Sequence, residues 1–286
     1  MAAALLLSIG LPAAAADTPA ATCFGRPATI TGAGTINGTE GDDVIIGSVG
    51  ADVINGRGGN DRICGLAGTD TLAGGLGDDR IEGGEGADLI RGDLITRGAP
   101  ADGEGDDILF GGPGDDRMGG DSMAFGASAS GGGNDILFGE EGNDAMIGDS
   151  RGGINASGGG TDVLDGGPGN DSITGDSSAE GTATGHGKDV LLGGPGTDTL
   201  IGDSNSGHAA HGKGDGTHKE RPAGPSPASS TPTTPTTVTP HQQTAPTPEA
   251  EGGNDVLDGG DDAPDACDGT AGIDVTVRCE TTTNVP

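Results

Sequence analysis

From residue 38 onward an aliphatic residue returns at every ninth position, as Ile45, Ile54, Ile63, Leu72, Ile81 and Ile90, with glycine and polar residues between. Their neighbours are often polar, as Arg80 and Glu82 are beside Ile81. Such a triplet reads as a very short strand whose alternation turns the apolar side chain inward and its neighbours outward. The glycine-rich stretches between the strands read as tight turns. Turn, strand, turn, strand then closes one coil from two repeats, and the pattern predicts a solenoid of short parallel strands.

The repeat is explicit in six contiguous nonapeptides, GTEGDDVII, GSVGADVIN, GRGGNDRIC, GLAGTDTLA, GGLGDDRIE and GGEGADLIR, which span residues 38–91. Further copies begin at Asp102, Gly111, Ser130, Gly139, Ser157, Gly166, Thr184, Gly193 and Ala250, fifteen in all. In every copy the fourth residue is Gly, the sixth is Asp and the eighth is aliphatic or Met. A further copy, GTAGIDVTV, has Thr276 at the apolar position and is decayed.

Composition sharpens this picture. The 286 residues include 62 Gly, no Trp, no Tyr and only 4 Phe, which excludes an ordinary aromatic-rich core. With 45 acidic against 13 basic residues, the formal net charge of -32 argues against nucleic acid or an anionic membrane as partner and makes cations the natural counterpart. The fixed positions fit that partner. Glycines at the first and fourth positions permit tight turns with inward carbonyls, and the aspartate brings the hard anionic oxygen that calcium prefers. Carboxylates stacked along one edge at the strand spacing would repel by roughly 3 kcal/mol per pair at an effective dielectric near 20. A divalent cation reverses that sign.

The copy GGPGNDSIT at residues 166–174 follows the consensus GGxGxDxUx almost letter for letter, and the array as a whole resembles the RTX, or haemolysin-type, calcium-binding repeat. The resemblance implies an all-β fold, a right-handed parallel β-roll with calcium ions between turns of the same edge. The implied metal ligands are Asp43, Asp52, Asp61, Asp70, Asp79, Asp88, Asp107, Asp116, Asp135, Asp144, Asp162, Asp171, Asp189, Asp198 and Asp255, together with turn carbonyls.

Beyond Arg91 the copies come in pairs, each followed by a segment opening with Gly-Asp: GDLITRGAPA, GDSMAFGASA, GDSRGGINA and GDSSAEGTA. These segments are expected as loop insertions on one edge of the roll. The tripeptide at Gly120, Asp121 and Ser122 is similar to the esterase GDS block, but it recurs in phase at Gly148, Gly175 and Gly202 and is read as a feature of the repeat. Residues 205–249, which contain PSPASSTPTTPTTVTP, are expected as a disordered linker between the roll at 38–204 and the last repeats at 250–286. His208, His211 and His218 in it are assigned no role.

Residues 1–16 are almost wholly apolar and end in Ala14, Ala15 and Ala16, which reads as a secretory signal peptide too short to span a bilayer. No Lys or Arg precedes the apolar run, so the true start is expected upstream. Residues 17–37 are expected to cap the roll. Four cysteines in an exported chain suggest disulfides. Cys23 with Cys64 and Cys267 with Cys279 are the most economical of three connectivities, each sealing one end.

No HExxH motif or nucleophile elbow is present, and repeats with linker take up nearly the whole sequence. The expectation is a secreted, non-enzymatic calcium-binding surface or matrix protein that folds on its metal, with any macromolecular partner left open. The alternative is a targeting or folding module of a secreted hydrolase or toxin that has lost its catalytic domain.

Overall fold

The computed structural model describes residues 21–185 and 187–202, and beyond them the backbone of short strands at 205–206, 209–210, 217–218, 256–258, 266–268, 275–277 and 281–283. The molecule is a parallel β-roll. After an antiparallel hairpin of Thr22–Cys23 and Arg26–Pro27, every strand pairing is parallel and in register. One wall runs through Ile30–Thr31, Val44–Ile46, Arg62–Ala67, Arg80–Glu85, Ile108–Phe110, Ile136–Phe138, Val163–Asp165 and Val190–Leu192. The facing wall runs through Thr35–Asn37, Val53–Gly58, Thr71–Leu76, Leu89–Arg91, Arg117–Gly119, Ala145–Ile147, Ser172–Thr174 and Thr199–Ile201.

The eighth-position residues meet between the walls. Ile45, Ile63, Ile81, Leu109, Leu137, Leu164 and Leu191 stack along one wall, and Ile54, Leu72, Ile90, Met118, Met146, Ile173 and Leu200 along the other, forming one continuous buried row. A strand of three residues can bury only its central side chain against the facing wall, so the core is one residue deep and each coil depends on its neighbours.

The segments expected as loops are strands. Ile95–Arg97, Met123–Phe125, Arg151–Gly152, Ser178–Ala179 and Asn205–Ser206 form one additional parallel sheet, and Ala101–Asp102, Ala129–Ser130, Asn155–Ser157, Thr182–Thr184 and Ala209–Ala210 form another. Up to Arg91 a coil is 18 residues, as in the pairing of Val53 with Thr71. Beyond it the coil widens to 28 and then 27 residues, as in the pairings of Leu89 with Arg117 and Ala145 with Ser172. The widening leaves from one edge, as expected, but as a second stacked lobe. Its buried centre is alanine: Ala101, Ala124, Ala127 and Ala129, then Ala156, Ala179 and Ala183.

From Arg57 to Gly84 the second residue of each narrow turn takes positive φ, as at Arg57 (86°) and Gly75 (124°), whereas Thr39 and Ser48 in the first two turns do not. In the wide coils Asp93, Asp121 and Asp149 follow the first glycine without positive φ where the chain enters the lobe. The sheets also continue through Asn205–Ser206, Ala209–Ala210 and Thr217–His218, at the start of the segment expected as linker. The expected signal peptide lies outside the described residues, as does most of the linker.

Cys23 and Cys64 form a disulfide, with Cα atoms 5.9 Å apart. It ties the N-terminal hairpin to the first wall, where Cys23, Ile46 and Cys64 pack together and Phe24 lies 5.9 Å from Phe110 under the Arg80 guanidinium. The expected Cys267–Cys279 pair lies outside the residues whose side chains are described.

Candidate metal centre

Each repeat delivers its sixth-position aspartate to the turn that precedes a strand, and all fourteen from Asp43 to Asp198 are buried. They form two rows, one on each edge of the roll. One Oδ1 after another accepts the backbone N–H of the aspartate one coil earlier. Asp43 donates to Asp61 at 2.8 Å, Asp61 to Asp79 at 2.7 Å, Asp79 to Asp107 at 2.7 Å and Asp107 to Asp135 at 2.8 Å. On the opposite edge the row runs Asp52, Asp70, Asp88, Asp116, Asp144, Asp171 and Asp198 through the same bond. One carboxylate oxygen thus fixes the side chain and sets its direction.

The other oxygen has no donor. At Asp61, Asp70, Asp79, Asp88, Asp107, Asp116, Asp135, Asp144, Asp162 and Asp171 the buried Oδ2 lacks any hydrogen-bond partner. It faces a second acceptor, the carbonyl of the first-position glycine one coil on. A Cβ placed on Gly83 would lie 2.5 Å from Asp88 Oδ2 and 2.7 Å from the Gly111 carbonyl, and one on Gly65 would lie 2.5 Å from both Asp70 Oδ2 and the Gly83 carbonyl. Acceptors that converge without a proton between them fit a cation. Asp43 and Asp52 differ, because their Oδ2 atoms accept the N–H groups of Thr39 (2.7 Å) and Ser48 (2.6 Å) in their own turns. Asp255 lies outside the described residues.

Burial disfavours the charged form of these groups, and the neighbouring carboxylates add to it. It pushes Asp61 up to about 6, Asp79 to about 8 and Asp107 to about 10 from an ordinary 3.8, despite the hydrogen bond each accepts. On the other edge Asp88 rises to about 6 and Asp116 to about 7 for the same reasons. These directions belong to the metal-free fold.

The structure adds residues that sequence reasoning passed over. Asp93, Asp121, Asp149 and Asp176, the aspartates that open the inserts, are all buried, as are Ser122, Ser150 and Ser177 beside them. Their recurrence in phase was the available signal. Fifth-position residues form an outer ladder, with Asn60 N–H on Asp42 at 2.9 Å and Asn143 N–H on Asp115 at 2.9 Å, which stitches successive coils on the solvent side.

A model of the RTX calcium-binding nonapeptide repeat, in four copies, matches residues 30–63, 65–94, 101–122, 129–150, 157–179 and 184–206. The chain belongs to the RTX calcium-binding nonapeptide-repeat family. No curated protein matches it. As an RTX protein it carries calcium-binding repeats, and its matched segments include the inserts' Gly-Asp openings as well as the nonapeptides. Among the described residues no helix is long and apolar enough to cross a membrane, which does not bear on strands.

Proposed function

We propose that this is a secreted, non-enzymatic calcium-binding protein of a cell surface or extracellular matrix, whose repeats fold around many calcium ions. The carrying observation is the double row of buried, donorless Oδ2 atoms, each facing a glycine carbonyl of the next coil. In this reading Oδ2 of Asp61, Asp70, Asp79, Asp88, Asp107, Asp116, Asp135, Asp144, Asp162 and Asp171 coordinates the ions, and Asp189 and Asp198 continue the rows. Asp43 and Asp52 stand at the weak end because their own turns already satisfy them. The leader-like segment at 1–16 and the disulfide Cys23–Cys64 support export. The ions supply charge compensation to these buried carboxylates, so binding free energy becomes folding free energy.

Asp78 and Asp79 are adjacent and equal in charge, yet Asp79 is buried with a donorless Oδ2 while Asp78 lies outside and accepts from Asn60 and Asp106. Calcium titration followed by circular dichroism and equilibrium dialysis compares Asp79→Asn with Asp78→Asn. Asp79→Asn is expected to raise the folding midpoint about tenfold, or about 1.4 kcal/mol, and to bind less calcium. Asp78→Asn should stay within about twofold of the parent, since exposed charges contribute little. Equal shifts would mean that the aspartates act through bulk charge alone.

A further inference from the structure

The aspartates that open the inserts have no place in the nonapeptide. In the narrow coils the residue after the first glycine carries no carboxylate: it is Thr39 or Ser48, whose N–H groups donate to the row, the exposed Arg57 or Leu66, or Gly75 or Gly84. In the wide coils that position is held by Asp93, Asp121 and Asp149, which are 0%, 0% and 1% exposed. Among the described residues no N–H or hydroxyl donor reaches either oxygen of any of the three. Asp93 and Asp121 stand close enough to share a proton, and otherwise burying a carboxylate without a donor is among the costliest placements a side chain can have. Here it recurs in successive coils at the same point in the turn.

That point is the neck where the lobe leaves the roll. The side chains of Asp93, Asp121 and Asp149 lie against Gly103, Gly131 and Gly158, the glycines by which the chain re-enters, so the carboxyl groups close the neck. Asp121, Asp135 and Asp149 each offer an oxygen, and the three oxygens lie within 4.8 Å of one another. Ligands at about 2.3 to 2.6 Å around one calcium ion span that same distance. The Gly148 carbonyl stands beside Asp135 Oδ2 at the same spot, where a methyl group on Gly120 would collide with both. The Ser150 hydroxyl, buried next to Asp149, also lacks a partner.

We infer that the neck holds a second kind of calcium site, in which Asp121 and Asp149 join Asp135 and the Gly148 carbonyl around one ion. It rests on the calcium reading of the repeats, but it assigns ligands that the nonapeptide does not contain. Three carboxylates on one ion, against one carboxylate per layer in the narrow coils, make the neck the tightest site of the molecule and the natural place for the wide coils to nucleate.

The test is the double variant Asp121→Asn and Asp149→Asn, with Asp61→Asn as the comparison. Equilibrium dialysis against calcium, from the submicromolar to the millimolar range, separates tight from weak ions. The double variant should lose the tightest class, with at least a tenfold rise in its dissociation constant, while Asp61→Asn keeps that class and loses a weaker ion. Retention of the tightest class by the double variant overturns the inference. A parent protein that binds no calcium overturns the reading of the repeats instead. A second measurement needs no variant, so a failure of the double variant to fold does not leave the question unanswered. Crystals of the parent grown in calcium should show an anomalous peak in coordinating contact with the carboxylates of both Asp121 and Asp149. Carboxyls there hydrogen-bonded to each other or to water, with no such peak, would overturn the site.

Discussion

A carboxylate with one oxygen bonded to a backbone N–H and the other facing only acceptors is half satisfied, and a proton or a cation completes it. Without calcium the proton is the available partner. Asp61, Asp79 and Asp107 are raised to about 6, about 8 and about 10 in the fold, from 3.8, chiefly by burial. The metal-free fold therefore binds protons more tightly than the unfolded chain does. Its stability from these groups is complete below about 3.8 and drains away as pH rises through about 6 to 8 and beyond. In calcium-free buffer the strand signal in circular dichroism should accordingly be stronger at pH 4 than at pH 8. In saturating calcium the order reverses, because protons then compete with the ion. A metal-free chain that gained structure from pH 4 to pH 8 would show that the aspartates are not held as described.

At the scale of turn and strand, the first-position glycine decides whether a site exists. At Gly83 a Cβ would stand 2.5 Å from Asp88 Oδ2, 2.7 Å from the Gly111 carbonyl and 3.0 Å from the Ile90 side chain, so alanine fills the space between the two acceptors where the proposed ion would sit. Gly98, in the lobe turn, has φ of 72° and no atom within 4 Å of a Cβ, so alanine there costs only local backbone strain of roughly 1 to 2 kcal/mol. Gly83→Ala should reduce calcium bound per chain and break the cooperativity of folding, while Gly98→Ala should leave the number of ions unchanged. Dialysis on both variants checks this, and equal stoichiometry in the two would count against a site between Asp88 and Gly111. The glycine and aspartate rows were legible because a nine-residue period repeats them in phase, as was the buried row from Ile45 to Leu200. The lobe was not legible as structure. Its strands bury Ala101, Ala129, Ala156 and Ala183, side chains too small to print a hydrophobic alternation on a glycine-rich background. The Gly-Asp openings were visible as a recurrence, but only the fold shows Asp121 and Asp149 turned toward Asp135.

At the scale of the whole molecule the roll is a stack in which each coil is held by the coils beside it, so its ends are its weak points. At the N-terminal end Asp43 and Asp52 satisfy Oδ2 within their own turns, which leaves fewer open acceptors there for the proposed ions. The disulfide Cys23–Cys64 stands at this end and closes a loop of 41 residues. By chain entropy such a loop contributes about 4 kcal/mol. It also holds Phe24 over Phe110 and under Arg80, a cover on the outer face of the first wall. Replacing Cys23 and Cys64 by Ser should therefore loosen the narrow coils and leave the wide ones, whose pairings begin with Arg80 and Ile108, almost untouched. Hydrogen exchange in saturating calcium reads this coil by coil. Amides of Val44–Ile46 and Val53–Gly58 should exchange at least tenfold faster in the double serine variant, whereas those of Ile136–Phe138 and Ser172–Thr174 should keep their protection. Uniform acceleration along the stack would mean that the roll opens as one cooperative unit, and that the disulfide acts on all coils rather than on the end it ties.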